Sequence, residues 1–177
     1  MINRNIALIA PLSRTTGLGH FMRLKILQKK LNLKNYIWIM QGNRGFINKF
    51  KTKKDRFNLI NTINEKNIYS ILKKNNCGKI IMDLSSEKNL RQDKVLKLQN
   101  YLLKKGVKII SFDIPKQKKI VSNISIFPFY FNKNINKSVK SKIYRGYDFV
   151  FLEKIKRNIL KKKSNEIKKI LIVVSGS

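Results

Sequence analysis

One short segment of the chain concentrates the residue types that could do chemistry: Thr15-Thr16-Gly17-Leu18-Gly19-His20-Phe21-Met22-Arg23. It follows an apolar run, Asn5 to Pro11, and opens an amphipathic stretch, Phe21 to Leu33, so it reads as the turn between a first strand and a first helix. Glycines at 17 and 19 let backbone approach a ligand closely, and free N–H groups at a helix start attract anions. His20 stands at that helix start. It is the single histidine of the chain, and as a neutral imidazole it could take a proton from water as a general base. The residues alone leave two readings open: a general base, or a helix-start side chain that hydrogen-bonds locally. Arg23, one helical turn further in, could brace the turn or an anion.

The other candidates are plainer. Asp83 and Asp113 each close an apolar run, where an aspartate can contact a ligand or cap a turn or helix. Trp38 between Ile37 and Ile39 reads as core. Phe127, Phe129, Tyr130 and Phe131 beside lysines have the composition of a nucleic-acid stacking platform, but no RNA-binding signature accompanies them, and packing is the preferred reading. Cys77 is the only cysteine. It excludes an internal disulfide and a cysteine-built metal cluster, and it has no histidine nearby in sequence to activate it.

These residues need elements to hold them. The 177 residues fit one domain of about 100–200 residues, and 42% hydrophobic composition excludes a wholly disordered chain. No run reaches the roughly 20 apolar residues of a bilayer span, and Ile6 to Ala10 is too short for a signal peptide; a soluble, cytoplasmic protein is the expectation. Apolar runs at 5–11, 36–40, 57–60, 79–83, 107–113 and 124–128 alternate with helical patterns at 21–33, 46–50, 64–74 and 87–105. In the first helix Phe21, Leu24, Leu27 and Leu31 share a face, and Gln41-Gly42-Asn43 closes the second strand as a turn. The stretch from Asn132 to Lys142 reads as a polar loop. Such alternation predicts an α/β domain with a parallel, Rossmann-like sheet covered on both faces. The expected division is 1–150 for that domain, 151–168 for a basic linker, and 169–177 for the first strand and Gly/Ser turn of a second domain at which the sequence stops; the alternative is a last strand that finishes this sheet.

The net charge of +31 would suit a polyanion binder. Its source is 32 Lys against 8 Arg, alongside 20 Asn and 26 Ile, residues that A/T-rich codons over-supply. Bidentate phosphate and base recognition favours arginine, so a solvated lysine surface is the simpler reading and specific nucleic-acid binding the lesser one.

Gly17 to Arg23 resembles the G-x-G-H-x-x-R signature of the UDP-2,4-diacetamido-2,4,6-trideoxy-β-L-altropyranose hydrolase family of pseudaminic acid biosynthesis. It is similar also to the related spore-coat polysaccharide proteins and, more distantly, to GT-B glycosyltransferases of the MurG type. The likeness continues in order through Ile80 to Asp83, Ile109 to Asp113, Ile126 to Pro128, Gly146 to Leu152 and Ile170 to Ser177. It implies the N-terminal half of a GT-B-like two-domain fold. It also implies a metal-independent, cofactor-free hydrolase that releases UDP from a nucleotide-activated amino sugar. His20 matches the catalytic histidine; Gly17, Gly19, Arg23, Asp83, Ser85 and Asp113 fall on the substrate side. The sequence departs from the family at Asp83-Leu84-Ser85, where Asp-Ser-Tyr is usual, and at Asp113-Ile114, where paired aspartates are usual. A glycosyltransferase half and a basic nucleic-acid-binding module are the alternatives.

Overall fold

The computed structural model describes residues 5–12, 18–50, 52, 54–84, 92–112, 119–128, 136–137 and 141–149. The first strand, β1 (Asn5–Pro11), leads to helix α1 (Gly19–Lys30), β2 (Tyr36–Gln41), the short α2 (Arg44–Asn48) and β3 (Phe57–Ile60). A second run follows: α3 (Glu65–Lys74), β4 (Cys77–Asp83), α4 (Gln92–Lys104) and β5 (Lys108–Phe112). Beyond it lie β6 (Lys119–Ile120), β7 (Ile124–Phe127), β8 (Asn136–Lys137), β9 (Lys142–Arg145) and a 3-10 turn, Tyr147–Phe149. Seven strands form one sheet in the order β3-β2-β1-β4-β5-β7-β9, and every pairing in it is parallel. The strands read from sequence at 5–11, 36–40, 79–83 and 107–112 do lie side by side in a Rossmann-like α/β sheet.

The physical reason is the alternation of side chains along strands that are apolar on both faces. Ala7, Ile9, Ile37, Ile39, Ile80, Met82 and Ile109 point to one face, where Ile68 and Leu72 of α3 and Leu98 and Leu102 of α4 cover them. Leu8, Ala10, Trp38, Met40, Ile81 and Phe112 point to the other, beneath Phe21, Leu24 and Leu27 of α1 and Ile47 of α2. Trp38 has no exposed surface and sits 5.0 Å, ring to ring, from Phe21, which confirms it as core.

Two expectations are corrected. Leu31 does not join the buried face of α1: the helix ends at Lys30, Leu31 is its C-cap, and the left-handed Asn32 (φ 47°) turns the chain so that Leu33 packs inward instead. Leu31 is left 54% exposed. The stretch read as a loop from Asn132 to Lys142 contains the β8 pair, and Lys142 starts β9. β9 escaped notice because it is a charged edge strand, Lys-Ile-Tyr-Arg, with no apolar run to betray it. The start of the fourth helix at 87–91, the aromatics 129–131, the linker and the final strand at 170–174 lie outside the described residues, as do Gly17, Ser85 and Asp113.

Candidate functional site

The sheet order fixes where a ligand crevice must be. From β1 the chain crosses by α1 to β2 on one side, and after β3 it crosses back by α3 to β4 on the other side of β1. The carboxyl ends of β1 and β4 therefore flank the topological switch point, where open α/β sheets bind ligands. Helix α1 begins above that point, and Asp83 is the last residue of β4.

Period-two alternation aims Asp83 to the same face as Ile81, the face that α1 covers. On α1, His20 and Arg23 are three residues apart and so share the stripe that continues through Leu24 and Leu27 onto the sheet. The two patterns meet. His20 Nδ1 lies 2.7 Å from Asp83 Oδ1, and Arg23 Nη1 lies 3.2 Å from Asp83 Oδ2. The Asp83 side chain has no exposed surface, that of His20 has 10% and that of Arg23 has 22%. A carboxylate so deeply buried is tolerable only with charged or hydrogen-bonding partners on its oxygens, and α1 supplies both kinds. Phe112, which pairs with Asp83 in register, carries the Arg23 guanidinium over its ring at 5.4 Å, so the arginine is held between a carboxylate and an aromatic face.

Gly19 is the first residue of α1, and a Cβ built there would meet nothing within 4 Å among the described residues. Packing by those residues gives no reason for a glycine at that place. Leu18 precedes it as an N-cap without a side-chain hydrogen bond, and the first turn carries no acidic residue. The amide end of α1 thus has no capping carboxylate among its own residues. Chemically, the arrangement offers one imidazole on a buried carboxylate, a guanidinium on the same carboxylate, and a helix start, all at the switch point. Among the described residues no group of three or more His, Cys, Asp or Glu could hold a metal ion, and no helix is long and apolar enough to cross a membrane.

The structure therefore brings three of the sequence candidates together, His20, Arg23 and Asp83. It gives His20 a partner 63 residues away in sequence. Phe112 was not singled out in the sequence; its signal was only its place one residue before Asp113.

A second buried carboxylate, also missed, lies at the other edge of the sheet. Asp55, 4% exposed and just before β3, accepts from Trp38 Nε1 and Tyr36 Oη at 3.1 Å each. It also accepts from Thr52 N at 2.9 Å, Thr52 Oγ1 at 2.7 Å and Lys25 Nζ at 3.4 Å. Burial alone would raise its carboxyl, but the Thr52 bonds, Lys25 and Trp38 outweigh it and hold the group below its ordinary value. Burial first, then the Asp55 charge, pushes the Tyr36 phenol up. Cys77 is buried with its thiol pushed up to about 11 by desolvation. Two surface depressions, of about 280 and 410 Å³, lie on the α3–α4 face and not at His20; the segments that adjoin the His20 site in sequence, 13–17 and 85–91, are outside the described residues. No protein-family model matches the chain, and no curated protein matches it either.

Proposed function

We propose that this chain carries the catalytic half of a nucleotide-sugar hydrolase, one that releases UDP from a diacetamido-trideoxy sugar in bacterial surface-glycan (pseudaminic acid) biosynthesis. The observation that carries the reading is the His20–Asp83–Arg23 cluster at the switch point of the sheet. The substrate and pathway come from the likeness of residues 17–23 and the ordered segments after them.

In this reading His20 takes a proton from a water while the water oxygen bonds to the anomeric carbon. The bond from that carbon to the diphosphate oxygen breaks, and its electron pair leaves with UDP. Gly17, Gly19 and the amide end of α1 would cradle the sugar or diphosphate, and no metal or cofactor is required. The same crevice serves a GT-B glycosyltransferase, in which an acceptor hydroxyl replaces the water.

The test is UDP release from the altropyranose substrate by the chain continued through the second domain that the resemblance implies. His20→Asn should keep the fold and substrate affinity while losing about 10²–10⁴-fold in turnover, the usual worth of general-base assistance. Near-wild-type turnover in the folded variant would refute the role of His20. No UDP release without an added sugar acceptor, and release with one, would replace hydrolysis by transfer.

A further inference from the structure

The two oxygens of Asp83 are divided between two different bases. Oδ1 meets the imidazole Nδ1 at 2.7 Å, and Oδ2 meets a guanidinium at 3.2 Å. Arg23 is permanently charged, and with the Asp83 side chain fully buried the negative carboxylate is its counter-charge. An ionised carboxylate only accepts hydrogen bonds. The proton in the 2.7 Å contact therefore belongs to His20 Nδ1. The guanidinium also rests over the Phe112 ring at 5.4 Å, a second contact that favours its place beside the carboxylate.

We propose that Asp83, braced by Arg23, is a positioning residue that fixes His20 as its Nδ1–H tautomer and so makes Nε2 the nitrogen that accepts the proton in the reaction at this site. Free imidazole prefers the opposite tautomer, with the proton on Nε2, which would present a donor where a base is needed. What exposure the pair retains belongs to His20, 10% of its side chain against none for Asp83. The carboxylate thus acts through the imidazole. The catalytic half of this inference rests on the reading of His20 as a base; the tautomer does not.

Because the chain has one histidine, labelling histidine with 15N gives one imidazole spin system and an unambiguous assignment. The spectrum is recorded without substrate at about pH 9, where an ordinary imidazole is neutral. Its couplings to the two ring protons show which nitrogen is protonated. The wild type should show protonated Nδ1 and bare Nε2. In Asp83→Asn the guanidinium claims the amide carbonyl and turns the amide N–H toward His20 Nδ1, which must then accept, so the proton should move to Nε2. Turnover of that variant should fall by about 10²–10⁴-fold, since its base is already protonated.

Protonated Nε2 in the wild type overturns the proposal, and so does a folded Asp83→Asn variant that keeps the Nδ1–H form. If that variant does not fold, the wild-type spectrum decides alone. A wild type with the Nδ1–H tautomer whose chain, continued through the second domain, releases no UDP would sink the hydrolase reading and leave the positioning role of Asp83 standing. UDP release from a chain with protonated Nε2 would do the reverse.

Discussion

Replacing Asp55 by alanine should be among the most destabilising single changes in this chain, and its cost can be worked from the donors left behind. Trp38 is fully buried, so its indole N–H would lose its acceptor where water cannot replace it, which costs about 1–3 kcal/mol. Thr52 is exposed and Tyr36 only partly buried, so their donors can turn to water, and each lost bond costs about 0.5–1 kcal/mol. The Lys25 side chain is 16% exposed and also lies 5.2 Å over the Phe21 ring, so it keeps a partner and adds little. The sum is about 4 kcal/mol. With a urea slope of about 2 kcal/mol per molar, the midpoint should fall by about 2 M at neutral pH. Asparagine should rescue little, because either orientation of the amide turns its N–H groups toward donors already aimed at the carboxylate. The pH dependence carries a sign. The folded carboxyl titrates below the unfolded value of 3.8, so its contribution is complete above that value and is lost as pH falls through the folded one. The gap between wild type and Asp55→Ala should therefore hold from about pH 7 to about pH 5 and begin to narrow below about pH 4. A midpoint within about 0.3 M of wild type, or a gap unchanged at about pH 3, would refute the network as a brace.

Further expectations concern a turn, a thiol and the charge. Gly42 has φ 150°, and a Cβ there would fall 2.0 Å from the Leu12 carbonyl oxygen, so Gly42→Ala should cost at least about 2 kcal/mol in the same urea assay; a neutral change would contradict the close approach of the two segments. The Cys77 thiol, pushed up to about 11 by burial, should be about one part in a thousand thiolate at about pH 8; a chromogenic disulfide should therefore label it slowly until denaturant is added, and rapid labelling of the folded chain would show an open site. On the α3–α4 face Lys73 and Lys105 line one depression, Lys66, Lys97 and Lys104 line the other, and Tyr69 packs edge-on against Tyr101 between them at 6.0 Å. If the charge is a solvated surface, duplex DNA should dissociate by about 0.15 M salt, and Lys73→Ser with Lys105→Ser should change the log–log salt slope by less than about one. Binding that survives well above that salt, with a slope reduced by about two, would establish a selected polyanion face.

The sheet was readable because its strands are apolar on both faces, and such runs look the same whatever their neighbours are. Tyr36 to Met40 and Ile80 to Met82 announce burial without any knowledge of strand order. Edges and ends were harder, because they are set by contacts that no run encodes. Leu31 keeps the helical spacing of Phe21, Leu24 and Leu27 but falls one residue past the last turn, where Asn32 reverses the chain. At the site, His20 was legible from its type and its place after a Gly-x-Gly turn. Its pairing with Asp83 was not, because that depends on β4 lying beside β1, and adjacency of strands so far apart in sequence follows from the crossover after β3. Asp55 was invisible for a similar reason: its donors come from α1, β2 and the residue three before it.

The two buried carboxylates on the α1 side of the sheet separate architecture from chemistry by the nature of their donors. Both are held by α1, which runs back across the sheet from the carboxyl ends of the strands. Asp83, at the carboxyl end of β4, takes His20 and Arg23 from the start of the helix, and Asp55, before the amino end of β3, takes Lys25 from further along it. Asp55 is satisfied chiefly by groups that do not exchange protons near neutrality: an indole N–H, a phenol, a hydroxyl and a backbone amide. Such a cage gains stability from staying still, and its place at the amino edge of the sheet is where α/β proteins keep structure. Asp83 meets an imidazole and a guanidinium. An imidazole can hand a proton on in a reaction and a guanidinium cannot. A buried acid held by an imidazole, at the switch point of a parallel sheet, has the parts of a proton-transfer site; one held chiefly by an indole, a phenol and a hydroxyl, at the opposite edge, has the parts of a clamp. The charge-neutral replacements separate them experimentally: Asp55→Asn should lose stability first, and Asp83→Asn should change the state of the His20 ring in a chain that still folds.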